Sequence, residues 1–138
     1  MKVLMVAPEK AAYETEIGNS LADMQKVVGG MIQAVYPYDE PVALVCNEEG
    51  KLERLPLNRA LRDEAGDVYD IIAGNFFVCG IDEDNFDSLS SEYMEKFKTE
   101  FQDPEVFMRI NGKIWAVKVT EQDMQNSNRS SERKDPER

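Results

Sequence analysis

The chain has 138 residues, of which 42% are apolar and 31% are charged, with a formal net charge of -11 at pH 7 and no histidine. This length suits a single domain with a sizeable core, and the apolar fraction excludes a disordered chain. No apolar run approaches the roughly 18 residues of a membrane span, and the opening run of residues 1–6 is too short for a signal peptide.

The first half of the chain predicts strands around one well-defined helix. Short runs of apolar and β-branched residues predict four strands at residues 2–7, 13–17, 31–36 and 42–46. Ser20 and Asp23 form a capping pattern for a helix that Gly29 and Gly30 end. Because residues 42–46 are apolar throughout, we expect this strand at a central position in the sheet.

The middle of the chain predicts a hairpin and then one long strand. Residues 47–50 form a turn with glycine at the left-handed position, and the chain returns as a strand over residues 51–55. Residues 57–62 are ambiguous and suit a single helical turn. Residues 71–81 predict a long buried strand with a bulge at Gly74, followed by an acidic linker that opens with residues 82–84.

The last third predicts a helix, a hairpin and a tail. Ser90 or Ser91 caps a helix with an apolar stripe of Tyr93, Met94, Phe97 and Phe101. Asn111-Gly112 predicts a type I′ turn between strands at residues 107–110 and 113–119, with Trp115 and Val117 facing the core. The chain thus predicts one α+β domain over residues 1–119 and a mobile polar tail over residues 120–138.

The predicted fold is a mainly antiparallel sheet with two helices. Its opening order, β-β-α-β, resembles the β-grasp, in which the sheet of a hairpin packs across one helix. This likeness concerns architecture and implies no activity.

The composition removes most catalytic chemistry. Without histidine the chain cannot build a Ser-His-Asp triad or a histidine-based zinc or iron site. Cys46 and Cys79 suit buried thiols, and a disulfide or a reactive thiolate stays open. The acidic run beginning at Asp82 lacks the glycine and the final carboxylate of a calcium loop. We expect no metal and no cofactor, and only carboxylate-based catalysis stays open as an enzyme hypothesis.

One cluster suggests a ligand site. Asn58, Arg59 and Arg62 lie together in a chain that is poor in cations, and a guanidinium suits carboxylate or phosphate. Salt bridges from the arginines to Asp63, Glu64 or Asp67 are the structural alternative. Tyrosines 13, 36 and 38 are expected to line a groove beside the first helix. The candidate ligand-binding residues are Asn58, Arg59, Arg62, Gly74, Asn75 and Tyr13.

Three segments, residues 56–61, 70–74 and 76–80, carry a family resemblance. They resemble a domain-of-unknown-function family that occurs in phages and conjugative elements. The resemblance covers residues 1–119 and implies an accessory protein of a mobile genetic element. It carries no catalytic residues.

Charge and composition favour a binding protein over an enzyme. A net charge of -11 repels phosphate backbones, so we expect no nucleic-acid partner, and no membrane partner is expected either. The first hypothesis is a cytoplasmic, non-enzymatic protein that binds a basic surface of a protein partner, DNA mimicry being one form of it. The alternative is a module that binds a small nucleotide-like anion through Asn58 and Arg59. The oligomeric state stays open.

Overall fold

The computed structural model describes residues 1–126. The strands are β1 (Lys2–Val6), β2 (Tyr13–Glu16), β3 (Ile32–Val35), β4 (Val42–Asn47), β5 (Leu57–Arg62), β6 (Val68–Ala73), β7 (Phe76–Asp82), β8 (Asn85–Asp87), β9 (Glu105–Ile110) and β10 (Lys113–Lys118). The helices are α1 (Leu21–Val28), α2 (Ser91–Phe101) and a short α3 at residues 121–126. None of these helices has the length and apolar character that crossing a membrane requires.

The main sheet is antiparallel and has the strand order β2-β1-β7-β4-β3, with β8 paired to β7. Two further two-stranded sheets are formed by β5 with β6 and by β9 with β10. The predicted α+β class with mainly antiparallel pairing is confirmed. Strand β4 is interior and fully buried, as its unbroken apolar run predicts.

A helix covers each face of the main sheet. On one face Met24 and Val28 of α1 pack with Val3 and Phe77. On the other face the apolar side chains of α2 pack with Leu4 and its neighbours. Neighbouring residues of β1 point to opposite faces, so this strand contributes to both cores. The β-β-α-β opening is present, and the sheet carries two helices where the β-grasp likeness implied one.

The predicted helix ends are confirmed. The Asp23 N–H donates to Ser20 Oγ at 3.1 Å, so Ser20 caps the N-terminus of α1. Gly29 adopts φ 79° and ends α1, because the residue that closes the last turn is left-handed and glycine adopts that conformation without strain. Ser90 caps α2 in the same way by accepting from the Tyr93 N–H.

The predicted strand over residues 51–55 is wrong. Residues 51–54 form a turn, and its left-handed residue is Arg54 (φ 58°) instead of Gly50. Gly50 is needed for another reason, because a Cβ there would lie 2.7 Å from the Ala73 carbonyl oxygen. Residues 57–62, which suited a helical turn, form strand β5 because they pair with β6.

The single long strand predicted for residues 71–81 is also wrong. Gly74, with φ 83°, separates β6 from β7. Strand β7 enters the centre of the main sheet, whereas β6 pairs with β5 outside it. Both strands have apolar segments, so hydrophobicity alone does not show the change of direction. The acidic linker contains the short strand β8, which the sequence analysis missed.

The β9–β10 ribbon has the predicted turn, with Asn111 at φ 52° and Gly112 at φ 77°. Its predicted core face is wrong, because Trp115 and Val117 are exposed. About half of each of these two side chains is accessible to solvent, so this face of the ribbon does not belong to the core.

The segment after the ribbon differs from the predicted polar tail. The Asp123 N–H donates to Thr120 Oγ1 and begins α3, and the Ala11 N–H donates to the Glu121 carboxylate. Met124 is buried, which fixes α3 on the body. The remainder of the predicted tail, residues 127–138, lies outside the described residues.

Candidate functional site

Arg59 lies inside the protein with no exposed surface. Its Nη1 donates to Asn58 Oδ1 at 2.9 Å and to the Asn58 carbonyl at 3.3 Å. Its Nη2 donates to the carbonyls of Lys10 at 2.7 Å and Phe101 at 2.9 Å, and its Nε donates to the same Phe101 carbonyl. A guanidinium has five N–H groups, so all of them are used within the protein.

The charge of Arg59 is stabilised by the end of α2. Phe101 is the last residue of that helix, and its carbonyl belongs to the negative end of the helix dipole. Burial lowers the pKa of Arg59 to about 10, while the nearby charges of Glu105 and Asp103 oppose the shift. The guanidinium therefore stays charged at neutral pH and caps the C-terminus of α2.

Asn58 connects three segments around this arginine. Its Nδ2 donates to the carbonyls of Val6 at 3.0 Å and Gly74 at 2.8 Å, while its Oδ1 accepts from Arg59. The structure thus brings Asn58, Arg59 and Gly74 together, as expected. Because their polar atoms face inward and are paired, they present no donor to an anion from outside.

The partner of Arg62 differs from the expected one. Its two terminal nitrogens donate to the two carboxylate oxygens of Glu105 at 2.8 and 3.2 Å. Glu105 is buried and also accepts from the Ala60 N–H. The expected ion pairs with the acidic residues at 63, 64 and 67 are wrong, because a carboxylate 43 positions away lies closer in the fold.

Asn75 and Tyr13 lie apart from the arginine cluster. Asn75 is exposed, and its amide donates to the Val27 carbonyl at the end of α1, at 3.4 Å. Tyr13 is exposed in edge strand β2. The six predicted site residues therefore do not converge on one open site.

The other tyrosines of the expected groove are also separate. Tyr38 packs on Phe97 of α2, with ring centroids 4.6 Å apart, on the face of the sheet opposite α1. Burial raises the pKa of the Tyr38 hydroxyl. Tyr36 is exposed at the end of β3. The predicted tyrosine-lined groove beside α1 is not formed.

An open groove lies elsewhere, between the β5–β6 hairpin and the outer edge of β10. Its volume is about 1020 Å³. One wall is formed by residues 66–71 and the other by residues 112–116, with Leu57 and Arg62 between them. The groove was not predictable from neighbouring residues, since its two walls are distant along the chain.

Several apolar side chains are exposed in and beside the groove. Tyr69 on the hairpin wall is 57% exposed, and Trp115 on the β10 wall is 48% exposed. Met108 pairs with Trp115 across the ribbon and is exposed on the same face. The sequence carries a signal for this exposure, because residues 106–117 have apolar side chains on both faces of the ribbon and only one face can pack on the body.

Most of the charges in the groove are already paired. Lys51 contacts the Asp70 carboxylate at 2.6 Å, and Arg62 contacts Glu105. The Lys113 ammonium lies 5.1 Å from the centre of the Trp115 ring. Among residues 1–126, Asp67 has no ion pair within 4 Å, so the hairpin wall offers an unpaired carboxylate.

The two cysteines are free thiols on opposite faces of the main sheet. Burial raises the pKa of Cys79 to about 12, which leaves its thiol protonated and unreactive. Within residues 1–126 no group of three or more cysteine and carboxylate residues has the geometry to hold a metal ion.

The fold and the groove place this chain among α+β proteins with an open cleft lined by both apolar and charged side chains. A family model described as a domain of unknown function (DUF3846) matches residues 1–102, and the chain belongs to that family. The match ends just after α2 and so excludes the β9–β10 ribbon, although the resemblance was expected to reach residue 119. Comparisons with curated proteins and with solved structures give no match.

Proposed function

We propose that this protein is a non-enzymatic binding module that holds a segment of a protein partner in the groove between the β5–β6 hairpin and β10. The observation that carries the proposal is the exposure of Tyr69, Ile114 and Trp115 around a cleft of about 1020 Å³. Exposed aromatic residues that line a concave surface are the usual anchors of protein recognition.

The arginine cluster is less suited than the groove to bind a ligand. The alternative hypothesis, binding of a nucleotide-like anion, needs free donors on Asn58 and Arg59. Every N–H of the Arg59 guanidinium is donated to a protein oxygen, and no side-chain atom of that residue reaches the surface. The groove therefore carries the functional proposal, and the cluster does not.

We also propose a cytoplasmic setting, as an accessory protein of a mobile genetic element. The support is the resemblance of residues 56–61 and 70–80 to a family found in phages and conjugative elements, together with two free thiols. The gene neighbourhood tests it. Relaxase, integrase or restriction genes beside related genes are expected, and consistently chromosomal metabolic neighbours would contradict it.

A display library of random peptides tests the binding function. The wild-type protein is expected to enrich a related set of peptides. Tyr69→Ser is expected to weaken their binding about tenfold, because an exposed aromatic anchor contributes on the order of 1.4 kcal/mol. The matched control is Tyr36→Ser, since Tyr36 is 61% exposed but lies outside the groove.

The comparison of the two tyrosine variants decides the outcome. Weaker binding by Tyr69→Ser together with unchanged binding by Tyr36→Ser supports the groove. Equal effects of the two substitutions, or no enriched peptides, would reject it. Thermal unfolding of both variants checks that each remains folded.

A further inference from the structure

Within residues 1–126, no strand pairs with the main-chain groups on the outer edge of β10. In the β9–β10 ribbon the two-residue turn makes Ile110 and Lys113 a hydrogen-bonded pair. Pairs alternate along an antiparallel ladder, so Ile114 and Ala116 belong to non-hydrogen-bonded pairs. Their N–H and C=O groups therefore point away from β9. The Ala116 carbonyl points away from β9 as this alternation predicts, because it accepts a hydrogen bond from Arg62, which lies outside the ribbon.

The residues that carry these outward groups line the groove. Residues 112–116 form its wall as a continuous stretch, which means that the cleft meets the strand edge-on. Within residues 1–126 β10 pairs with β9 only. An unpaired strand edge beside a cleft with exposed apolar side chains is the arrangement to which extended peptides add as a further strand.

The dimensions suit such an addition. Five residues of strand span about 17 Å, so residues 112–116 offer a length equal to a five-residue segment. An added strand would have alternate side chains on the two sides of the ribbon. Tyr69, Ile71 and Trp115 line the same groove and are the apolar side chains available to the added strand.

Charge indicates the chemistry of the occupant. Lys51 and Arg62 form ion pairs with carboxylates, whereas within residues 1–126 neither Asp67 on the hairpin wall nor Lys113 beside the ribbon turn forms one. The whole molecule carries a net charge of -11, which attracts a cationic partner and repels an anionic one. Lys113 carries an ammonium that repels a cation, so the basic end of a bound segment belongs beside the unpaired Asp67 carboxylate.

We infer that the groove takes an extended, positively charged segment of a partner protein, which adds to the outer edge of β10 and pairs with the main-chain groups of Ile114. This inference rests on the proposed function and specifies its mode and its ligand class. Alternating apolar residues and one basic end define the segment.

The test uses peptides enriched from the display library by the full chain. Ile114→Pro removes the outward N–H without disturbing the pairing to β9, since proline is tolerated where a strand edge faces outward. It is expected to weaken peptide binding about thirtyfold. Ile114→Ala, which removes apolar surface but keeps the N–H, is the matched control and is expected to weaken binding only about threefold.

Modified peptides give a second measurement that does not depend on the folding of the variant. N-methylation at alternate residues is expected to abolish binding in one register and to have little effect in the other. Enriched sequences are expected to contain more lysine and arginine than aspartate and glutamate, and their affinity is expected to fall as salt rises.

The outcomes separate the inference from the proposed function. Dependence on Tyr69 with no effect of Ile114→Pro or of N-methylation would overturn strand addition and leave the binding function intact. Enrichment of acidic peptides would overturn the charge assignment. Sedimentation could instead show a dimer that Ile114→Pro dissociates, which would mean that a second copy occupies the edge. Tight binding of single-stranded DNA would mean that a nucleic acid occupies it. Either result would overturn the inference.

Discussion

The arginine corner and the β10 groove satisfy their polar groups in opposite ways. In the corner, which consists of Asn58, Arg59, Arg62 and Glu105, the charged and amide groups are bound to protein atoms. In the groove, apolar side chains and the edge of β10 face outward. The residues with the more conspicuous chemistry are therefore structural, and the plainer residues form the open surface. Local composition did not separate these two roles, because burial decides them.

The largest expected effect comes from breaking the corner at its centre. Arg59→Ala should lower the free energy of unfolding by about 3–4 kcal/mol, because it leaves the Phe101 and Lys10 carbonyls without their donors. Chemical denaturation of the unliganded protein measures this loss. Arg109→Ala, on the exposed ribbon, is the control and should change stability by less than about 0.5 kcal/mol. An unchanged Arg59→Ala protein would mean that the arginine is free to serve a ligand.

A smaller loss is expected where the corner meets the ribbon. Arg62→Ala should cost about 2–3 kcal/mol, because it leaves the buried Glu105 carboxylate with only the Ala60 N–H. The double variant Arg62→Ala/Glu105→Ala closes a mutant cycle. The two losses should not add, since the second substitution removes the unpaired charge. Strict additivity in denaturation experiments would contradict the direct contact.

The smallest expected effects come from Gly112 in the ribbon and Gly74 beside the corner. Both have φ near 80°, and they differ in how much space surrounds them. Gly112→Ala at the ribbon turn has open space and should cost about 1 kcal/mol from backbone strain alone. Gly74→Ala places a Cβ 2.7 Å from Leu55 Cδ1 and should cost about 2 kcal/mol. Equal shifts of the denaturation midpoint would show that Leu55 moves away freely.

Much of the secondary structure was predictable because its signals are local. The Ser20 cap, the Gly29 stop and the Asn111-Gly112 turn each depend on residues within one turn of each other, and each is confirmed. Where the evidence was only apolar character, the prediction was wrong. Residues 71–81 read as one strand because a reversal at Gly74 leaves hydrophobicity unchanged.

The sequence predicted which residues of the candidate site lie together, and it did not predict whether their polar atoms face inward or outward. Asn58, Arg59 and Gly74 were predicted to lie together, and hydrogen bonds join them in the structure. Whether those atoms face inward depends on the Phe101 carbonyl, 42 positions from Arg59, and on Glu105, 43 positions from Arg62. Neither partner can be read from neighbouring residues. Trp115 was assigned to the core for the same reason, since alternation shows that a face is apolar but not whether another element covers it.

By itself, the sequence determined the α+β class, both long helices with their caps, the final hairpin and the acidic charge of the molecule. These properties follow from backbone preferences, short-range hydrogen bonds and composition. Only the tertiary structure decided that Arg59 closes the end of α2 inside the protein and that, in the described part of the chain, β10 leaves an edge open beside Tyr69. Burial and exposure are set by which distant segments come into contact, and that information is spread over the whole chain.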